Sequence, residues 1–463
     1  MILRPPPSAF PLAPRMSNAD LVRRDLAHLW HPCTQMHDHE TLPPVPIARG
    51  DGAWLVDHDG KRYLDAISSW WVNLFGHNNP RIGAAIKAQV DRLEHVLLAG
   101  FTHEPAVALA EALVAATPPA LTRVFYADNG SSAVEVALKM SFHFWRNRGE
   151  PGRKRFVALS GSYHGETLGA LAVTDVPLYR ETYAPLLMQA LIAPSPDAYQ
   201  GEPGESPADV AARRAGELDA LLAQHAGEVC AVIVEPLVQC AGGMRMHDAS
   251  YLVRLRALCD RHRVHLIADE IAVGFGRTGT MFACEQAGIA ADFLCLSKGL
   301  TGGYLPLAAV LTTQDVYDAF YAEYQTLRAF LHSHSYTGNP LACSAALATL
   351  AIFREEPVLE RNRVLAAALG EALAPLAAHP HVAEVRQSGM IAAVELVRDK
   401  HTRTAYDWRE RRGLAVHRHA LARGVLLRPL GNVVYFMPPY VVTPAEIALM
   451  AEVAREGIDL ATR

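Results

Sequence analysis

Several residues of this chain have the types and spacing to do chemistry together. Asp269 follows the apolar run VHLIA and Lys298 follows FLCLS, so a carboxylate and an amine stand at the ends of two segments built to be buried. Such a pair is either a buried salt bridge or a functional pair, and because burying both ions is expensive, an ion pair kept for stability alone is the poorer account. After RVFYAD comes Asn129-Gly130-Ser131-Ser132, which opens a helical stretch. Small residues there leave free N–H groups, hydroxyls and the positive end of the helix dipole, an arrangement suited to phosphate. The plainer alternative is N-capping by serine. After RFVALS, the turn GSYHGET sets Tyr163 and His164 between glycines, where an aromatic can stack on a planar ring. The alternative is a turn with incidental aromatics. An amine that forms a Schiff base and a carboxylate that faces a pyridinium nitrogen are the protein's share of pyridoxal-phosphate chemistry, so these groups have one purpose in common.

The elements that must position them alternate in kind. Between about residues 80 and 350, short apolar runs (RVFYAD, RFVALS, VCAVIVEP, VHLIADE, FLCLSKG, LAAVLTT) are separated by helical patterns, among them 132–146 and 250–261. Continuous apolar strands between helices predict a mostly parallel sheet covered on both faces, an α/β architecture whose ligands bind at the C-terminal strand ends. Before it, 53–63 (AWLVDHDGKRY) alternates around a DG turn and predicts a β-hairpin. After the helical stretch 341–355 the order becomes helix, MIAAVELV, helix, VLLRPL and VVYFMPPY, which predicts a smaller α+β domain. The expected division is 17–75 as the N-terminal segment of the small domain, 76–345 as the large domain and 346–463 as the C-terminal part of the small domain.

Composition narrows the partners. The 463 residues carry 43 Lys+Arg against 48 Asp+Glu, a formal charge of −5, which leaves no basic surplus for a nucleic-acid backbone. No apolar run approaches the ~18 to 20 residues that span a bilayer, so no membrane partner is expected. Residues 1–16 are proline-rich where a secretory signal would need an unbroken apolar stretch; they are expected to be a disordered extension, with Met16 as an alternative start. The 7 cysteines are scattered without a CxxC pair, so neither a disulfide framework nor a metal site is expected and a reducing cytoplasm fits. VHLIADE has no GxxxxGK[ST] partner, His103-Glu104 has no second histidine four residues on, and GxSxG is absent. P-loop, zincin and α/β-hydrolase chemistries are thereby set aside.

The ordered motifs NGSSAVE, SYHGET, VEPLVQ, ADEIAVGFGRTG, LSKGLTGG and HSYTGNPLAC resemble those of the class III aminotransferases, pyridoxal-phosphate enzymes of fold type I. The resemblance runs from about residue 21 to the C-terminus. It implies pyridoxal 5′-phosphate as cofactor, Lys298 as the Schiff-base lysine, Asp269 as the pyridinium partner, Gly130 and Ser131 at the phosphate, and Tyr163 beside ring and substrate. It also implies a homodimer with shared sites, in which Ser333, His334 and Ser335 reach the neighbouring subunit's cofactor. HLWHPCTQM, SSWW and LLRPLGNVVYFMPPY narrow the resemblance within the class, implying S-adenosylmethionine as amino donor and 8-amino-7-oxononanoate as acceptor. Trp70 would then line the substrate pocket and Arg428 would grip the acceptor's carboxylate, a bidentate task that suits a planar guanidinium. Two residues depart from the pattern. Cys33 stands where HPYT has tyrosine, at the substrate, and cannot supply a phenol; Glu166 stands where aspartate is common and keeps the charge. The rival readings are another class III ω-aminotransferase using a diamine or amino-acid donor and a non-catalytic protein of the same fold, and for Arg428 a structural ion pair with Glu235.

Overall fold

Val229–Val234 and His265–Asp269 carry side chains that are buried along their whole length, and both lie in the middle of one sheet. The computed structural model describes residues 17–463; the extension 1–16, expected to be disordered, lies outside the described residues. The sheet has seven strands in the order Leu121–Ala127, Ala308–Thr313, Phe293–Leu296, His265–Asp269, Val229–Val234, Arg155–Leu159 and Leu191–Ala193. Its pairings are parallel except at Ala308–Thr313, which runs against both neighbours. Alternate side chains serve opposite cores. Ile267 packs with Val134, Phe144 and Phe293 of one face, while Leu266 and Ala268 join Leu109, Leu255 and Leu296 on the other. Burial on both faces is why these strands read as unbroken apolar runs.

The helix expected over 132–146 is Gly130–Asn147, starting two residues early because Asn129, not a serine, caps it: the Ser132 N–H donates to Asn129 Oδ1 at 3.0 Å. The helix expected over 250–261 is Ala249–His262. The edge strand Leu191–Ala193 and the helix Pro207–Gln224 were not expected, although Ser206 and Asp209 of the latter form a capping box that the sequence displays as SPAD.

The predicted hairpin is present as Trp54–Asp57 and Arg62–Asp65, flanked by Ile47–Asp51 and, in parallel, by Val425–Leu426 from far along the chain. Ile391–Asp399 lies between Val382–Ser388 and Val433–Phe436. Helices Val358–Leu373 and Pro444–Ala461 send Leu365, Leu369, Ile447 and Val453 into the same core as Val394 and Phe436. Among the described residues, no helix is long and apolar enough to cross a membrane.

Candidate active site

The C-terminal ends of the central strands open into a cavity of about 820 Å³, lined by residues from both ends of the chain. On the strand side, Asp269 ends its strand nearly buried, accepting from the Ile271 N–H at 3.1 Å and from His164 Nδ1–H at 2.7 Å. His164 thus holds the carboxylate from behind, and its buried Nε2 has no hydrogen-bond partner. Lys298 lies just past the next strand, in the left-handed region at φ 47°, after Ser297 Oγ ties the turn to the Leu307 carbonyl at 2.7 Å. Burial disfavours its charged form and lowers the amine below the usual lysine range, against the opposing pull of Cys240, Asp269 and Glu235. Its Nζ stands 4.6 Å from the ring centroid of Trp71. The buried salt bridge considered for Asp269 and Lys298 does not form, since Asp269 is taken by His164.

Asn129 caps the helix through Ser132, and the first two helical residues, Gly130 and Ser131, whose N–H groups that cap does not take, line the cavity. Serine capping is therefore not the use of this turn. Ser131 Oγ shares a hydrogen with Thr167 Oγ1 at 2.8 Å and accepts from the Thr167 N–H at 3.0 Å. A Cβ on Gly130 would come within 2.9 Å of Ile271, so only glycine leaves this turn so close to the strand ends. Tyr163 donates its hydroxyl to Glu166 Oε1 at 2.8 Å and packs edge-on against Tyr179, with ring centroids 5.4 Å apart. Burial pushes both phenols well above their ordinary range. The Tyr163 N–H donates to Glu235 at 2.9 Å, and the same carboxylate accepts from the Cys240 N–H at 2.9 Å; burial pushes Glu235 up to about 7.

The opposite wall comes from the two ends of the chain. Cys33 sets its thiol 3.8 Å from the Tyr179 hydroxyl, so a phenol stands beside the position where Cys33 lacks one. Ser68, Ser69, Trp70 and Trp71 all have positive φ, of 51°, 46°, 72° and 73°. With the Trp71 N–H donating to the Ile67 carbonyl at 2.8 Å, they form one turn of left-handed helix. For L-residues this costs roughly 1–2 kcal/mol each and is normally confined to single positions. Trp70 lies with its ring centroid 4.1 Å from the Arg428 guanidinium carbon. Among the described residues Arg428 enters no ion pair, and Glu235, its proposed structural partner, is engaged by two backbone N–H groups instead.

One cavity therefore gathers Cys33, Trp70, Gly130, Ser131, Tyr163, Glu166, Asp269, Lys298 and Arg428. It does not include Ser333, His334 or Ser335. Ser333 and Ser335 are exposed, and His334 Nδ1 lies 3.7 Å from Asp128 Oδ2 at the cavity's rim. Sequence reasoning missed Trp71, Tyr179 and the backing role of His164. Trp71 was visible only as half of a Trp-Trp pair, and nothing in the sequence ties Tyr179 to Cys33.

A family model for aminotransferase class-III matches residues 35–456. The chain is 48% identical over 439 residues to an adenosylmethionine-8-amino-7-oxononanoate aminotransferase of Geobacter sulfurreducens, covering 95% of this chain and 97% of the relative. It superposes on the solved adenosylmethionine-8-amino-7-oxononanoate aminotransferase of Methanocaldococcus jannaschii with a TM-score of 0.91 at 39% identity, covering 96% of this chain and 99% of the other. An omega transaminase from Pseudomonas jessenii in complex with PMP gives a TM-score of 0.91 at 32% identity, covering 96% and 98%.

Proposed function

The chain belongs to the class III aminotransferases, and from that premise we propose how its cavity moves an amino group from S-adenosylmethionine to 8-amino-7-oxononanoate, giving 7,8-diaminononanoate in biotin biosynthesis. Near-full-length similarity to adenosylmethionine-8-amino-7-oxononanoate aminotransferases supports the substrate pair. The observation that carries the assignment is Arg428, a cation without an ion-pair partner among the described residues, facing the cavity that holds Lys298. A long acceptor ending in a carboxylate meets that guanidinium while its keto group lies at the lysine.

The cofactor is pyridoxal 5′-phosphate, which when bound supplies the electron sink that takes the amino group from the donor and gives it to the acceptor. The residues fit it. The glycine-tight turn at Gly130 and Ser131 offers N–H groups to its phosphate, and Asp269, aimed by His164, offers a carboxylate to its ring nitrogen. Lys298 would hold it through Nζ, and the same atom would carry the proton that moves. To act as a base near neutrality the amine must lie well below the usual lysine range. Burial lowers it in that direction. Tyr163, fixed through Glu166, lies beside ring and substrate, and Trp70 and Cys33 border the substrate.

We further read the protein as a cytoplasmic homodimer: Ser333, His334 and Ser335 lie outside their own cavity and serve the partner's, and all seven cysteines are free, with only Cys33 exposed. The large domain is 76–345 and the small domain 17–75 with 346–463, the helix Pro340–Glu355 crossing that boundary. Mixing purified protein with S-adenosylmethionine and following the absorbance of the bound cofactor tests the reading, with alanine and a diamine as competing donors. Conversion by S-adenosylmethionine, then recovery on adding 8-amino-7-oxononanoate, is expected. Conversion by a competitor alone overturns the donor assignment.

A further inference from the structure

The left-handed turn at 68–71 is held mainly by groups that do not line the cavity. Asp65, fully buried, accepts from Ser69 Oγ at 2.8 Å, from His77 Nε2–H at 3.1 Å and from the Ile67 N–H at 3.2 Å. His77 accepts at Nδ1 from the Asn73 amide at 3.1 Å, closing the loop behind the turn. Ser68 Oγ donates to the Met437 carbonyl at 2.7 Å, and Trp71 Nε1–H to the Tyr435 hydroxyl at 3.0 Å. Arg277, buried, donates to the carbonyls of Asn73 and Pro438 at 2.9 and 2.8 Å. A Cβ on Gly303 would meet the backbone of Val72 and Asn73 at 2.9 Å, so the chain opposite is cut away to admit the turn.

A backbone so unfavourable persists only where its surroundings over-determine it, and such places cluster at functional sites. Here its product is the placement of two indoles. Trp71 lies against the Lys298 amine and Trp70 against the Arg428 guanidinium. A right-handed turn would reverse the order in which successive side chains sweep around the axis and could not offer both rings to the same cavity. We propose that Asp65, acting with His77 through Ser69, is a positioning residue: it holds the left-handed turn and thereby sets Trp71 on the amine and Trp70 on the guanidinium. The claim rests on the reading of Lys298 and Arg428 given above.

The test compares wild type, Asp65→Asn and Asp65→Asn/Ser69→Gly as full-length, cofactor-loaded proteins. The amide keeps the volume of the carboxylate but has a single acceptor oxygen, so it cannot accept from Ser69 and His77 at Oδ2 and also from the Ile67 N–H at Oδ1. Asp65→Asn is expected to keep its far-ultraviolet circular dichroism, to lose near-ultraviolet intensity from the fixed indoles, and to fall about tenfold or more in kcat/KM with a raised KM for the acceptor. Glycine adopts positive φ freely, so Ser69→Gly should restore both signals in the Asp65→Asn background. The near-ultraviolet signal does not depend on which donor or acceptor is used, so positioning can fail or hold independently of the substrate assignment. Unchanged near-ultraviolet signal and kinetics in Asp65→Asn, or a double variant no better than the single one, overturns the proposal. Should Asp65→Asn not fold, His77→Leu, which removes the donor that holds the Asp65 oxygen Ser69 bonds to, takes its place under the same criteria.

Discussion

On one side of the cavity, Asp269 and Lys298 close neighbouring strands of a regular sheet, and the turn at Gly130 opens a long helix packed on that sheet. On the other, Trp70 and Arg428 arrive from opposite ends of the chain, one on a left-handed turn and the other just past a two-residue strand. The first wall is rigid because each strand is buried on both faces. The second depends on a few specific polar contacts for its shape. On the proposed reading, a reaction with one cofactor and two dissimilar substrates has use for both kinds: the constant partner would meet the sheet, and the exchanged partners would meet the wall whose shape can diverge without disturbing the core.

That contrast is broken most severely at Lys298. Lys298→Ala should fold and keep the cofactor through its phosphate contacts, but lose turnover in both half-reactions, because both need the same amine. Borohydride reduction of wild type followed by peptide mapping should label Lys298; a label on Lys139 or Lys154 would falsify the assignment.

Arg428→Ala should divide the two half-reactions. Loss of a charge-assisted contact with the acceptor's carboxylate should cost about 2 to 5 kcal/mol, roughly 30- to 5,000-fold, in the second half-reaction alone. Conversion of the cofactor by S-adenosylmethionine should proceed as in wild type. Equal losses in both halves, with a lowered melting temperature, would return Arg428 to a structural role.

The unequal legibility of the two walls follows from the same contrast. Asp269, Lys298, Gly130, Ser131 and Tyr163, which line one cavity, stand out by residue type and position because each follows an apolar run, and in an open α/β sheet strand ends converge. Trp70, Cys33 and Arg428 came only from motif resemblance, since no local pattern brings distant segments together. The left-handed turn was invisible: Ser-Ser-Trp-Trp contains no glycine to announce positive φ, and its support comes from Asp65, His77 and Arg277. Helix starts were misjudged by two residues at Gly130 because the cap was given to serine and Asn129 was overlooked.

The sheet wall makes a prediction about acid. His265 begins the strand that Asp269 ends, and it is packed among Phe144, Trp145 and Phe293. Burial lowers it from 6.5 to about 4. Between those values the unfolded chain holds a proton that the folded chain does not, so stability falls as pH drops. The contribution is complete above about pH 6.5 and is lost on reaching about pH 4, a change of ~3 kcal/mol. Denaturant midpoints measured across that window should show the loss in wild type. A Ser141→Ala/His265→Phe variant, which also removes the hydroxyl bonded to His265 at 2.9 Å, should lack this component.

The smallest effect is expected where the second wall has compensated for its own sequence. The Cys33 thiol points at the Tyr179 oxygen, which leaves the phenolic hydrogen free to donate into the cavity. Tyr179→Phe keeps the edge-on packing against Tyr163 and removes only that donor. A neutral hydrogen bond contributes about 0.5–1.5 kcal/mol, so KM for the substrate it meets should rise roughly 2- to 12-fold with kcat preserved. Cys33→Ala removes a weak thiol contact and should change KM by less than about twofold. Cys33→Tyr should be worse than either, because a second phenol would be driven against Tyr179. A Cys33→Tyr/Tyr179→Ala variant, which moves the hydroxyl back to position 33 and clears its space, should then recover activity. Should Cys33→Tyr alone match wild type, Tyr179 is not supplying the missing phenol, and this wall is shaped by Trp70 and Arg428 without it.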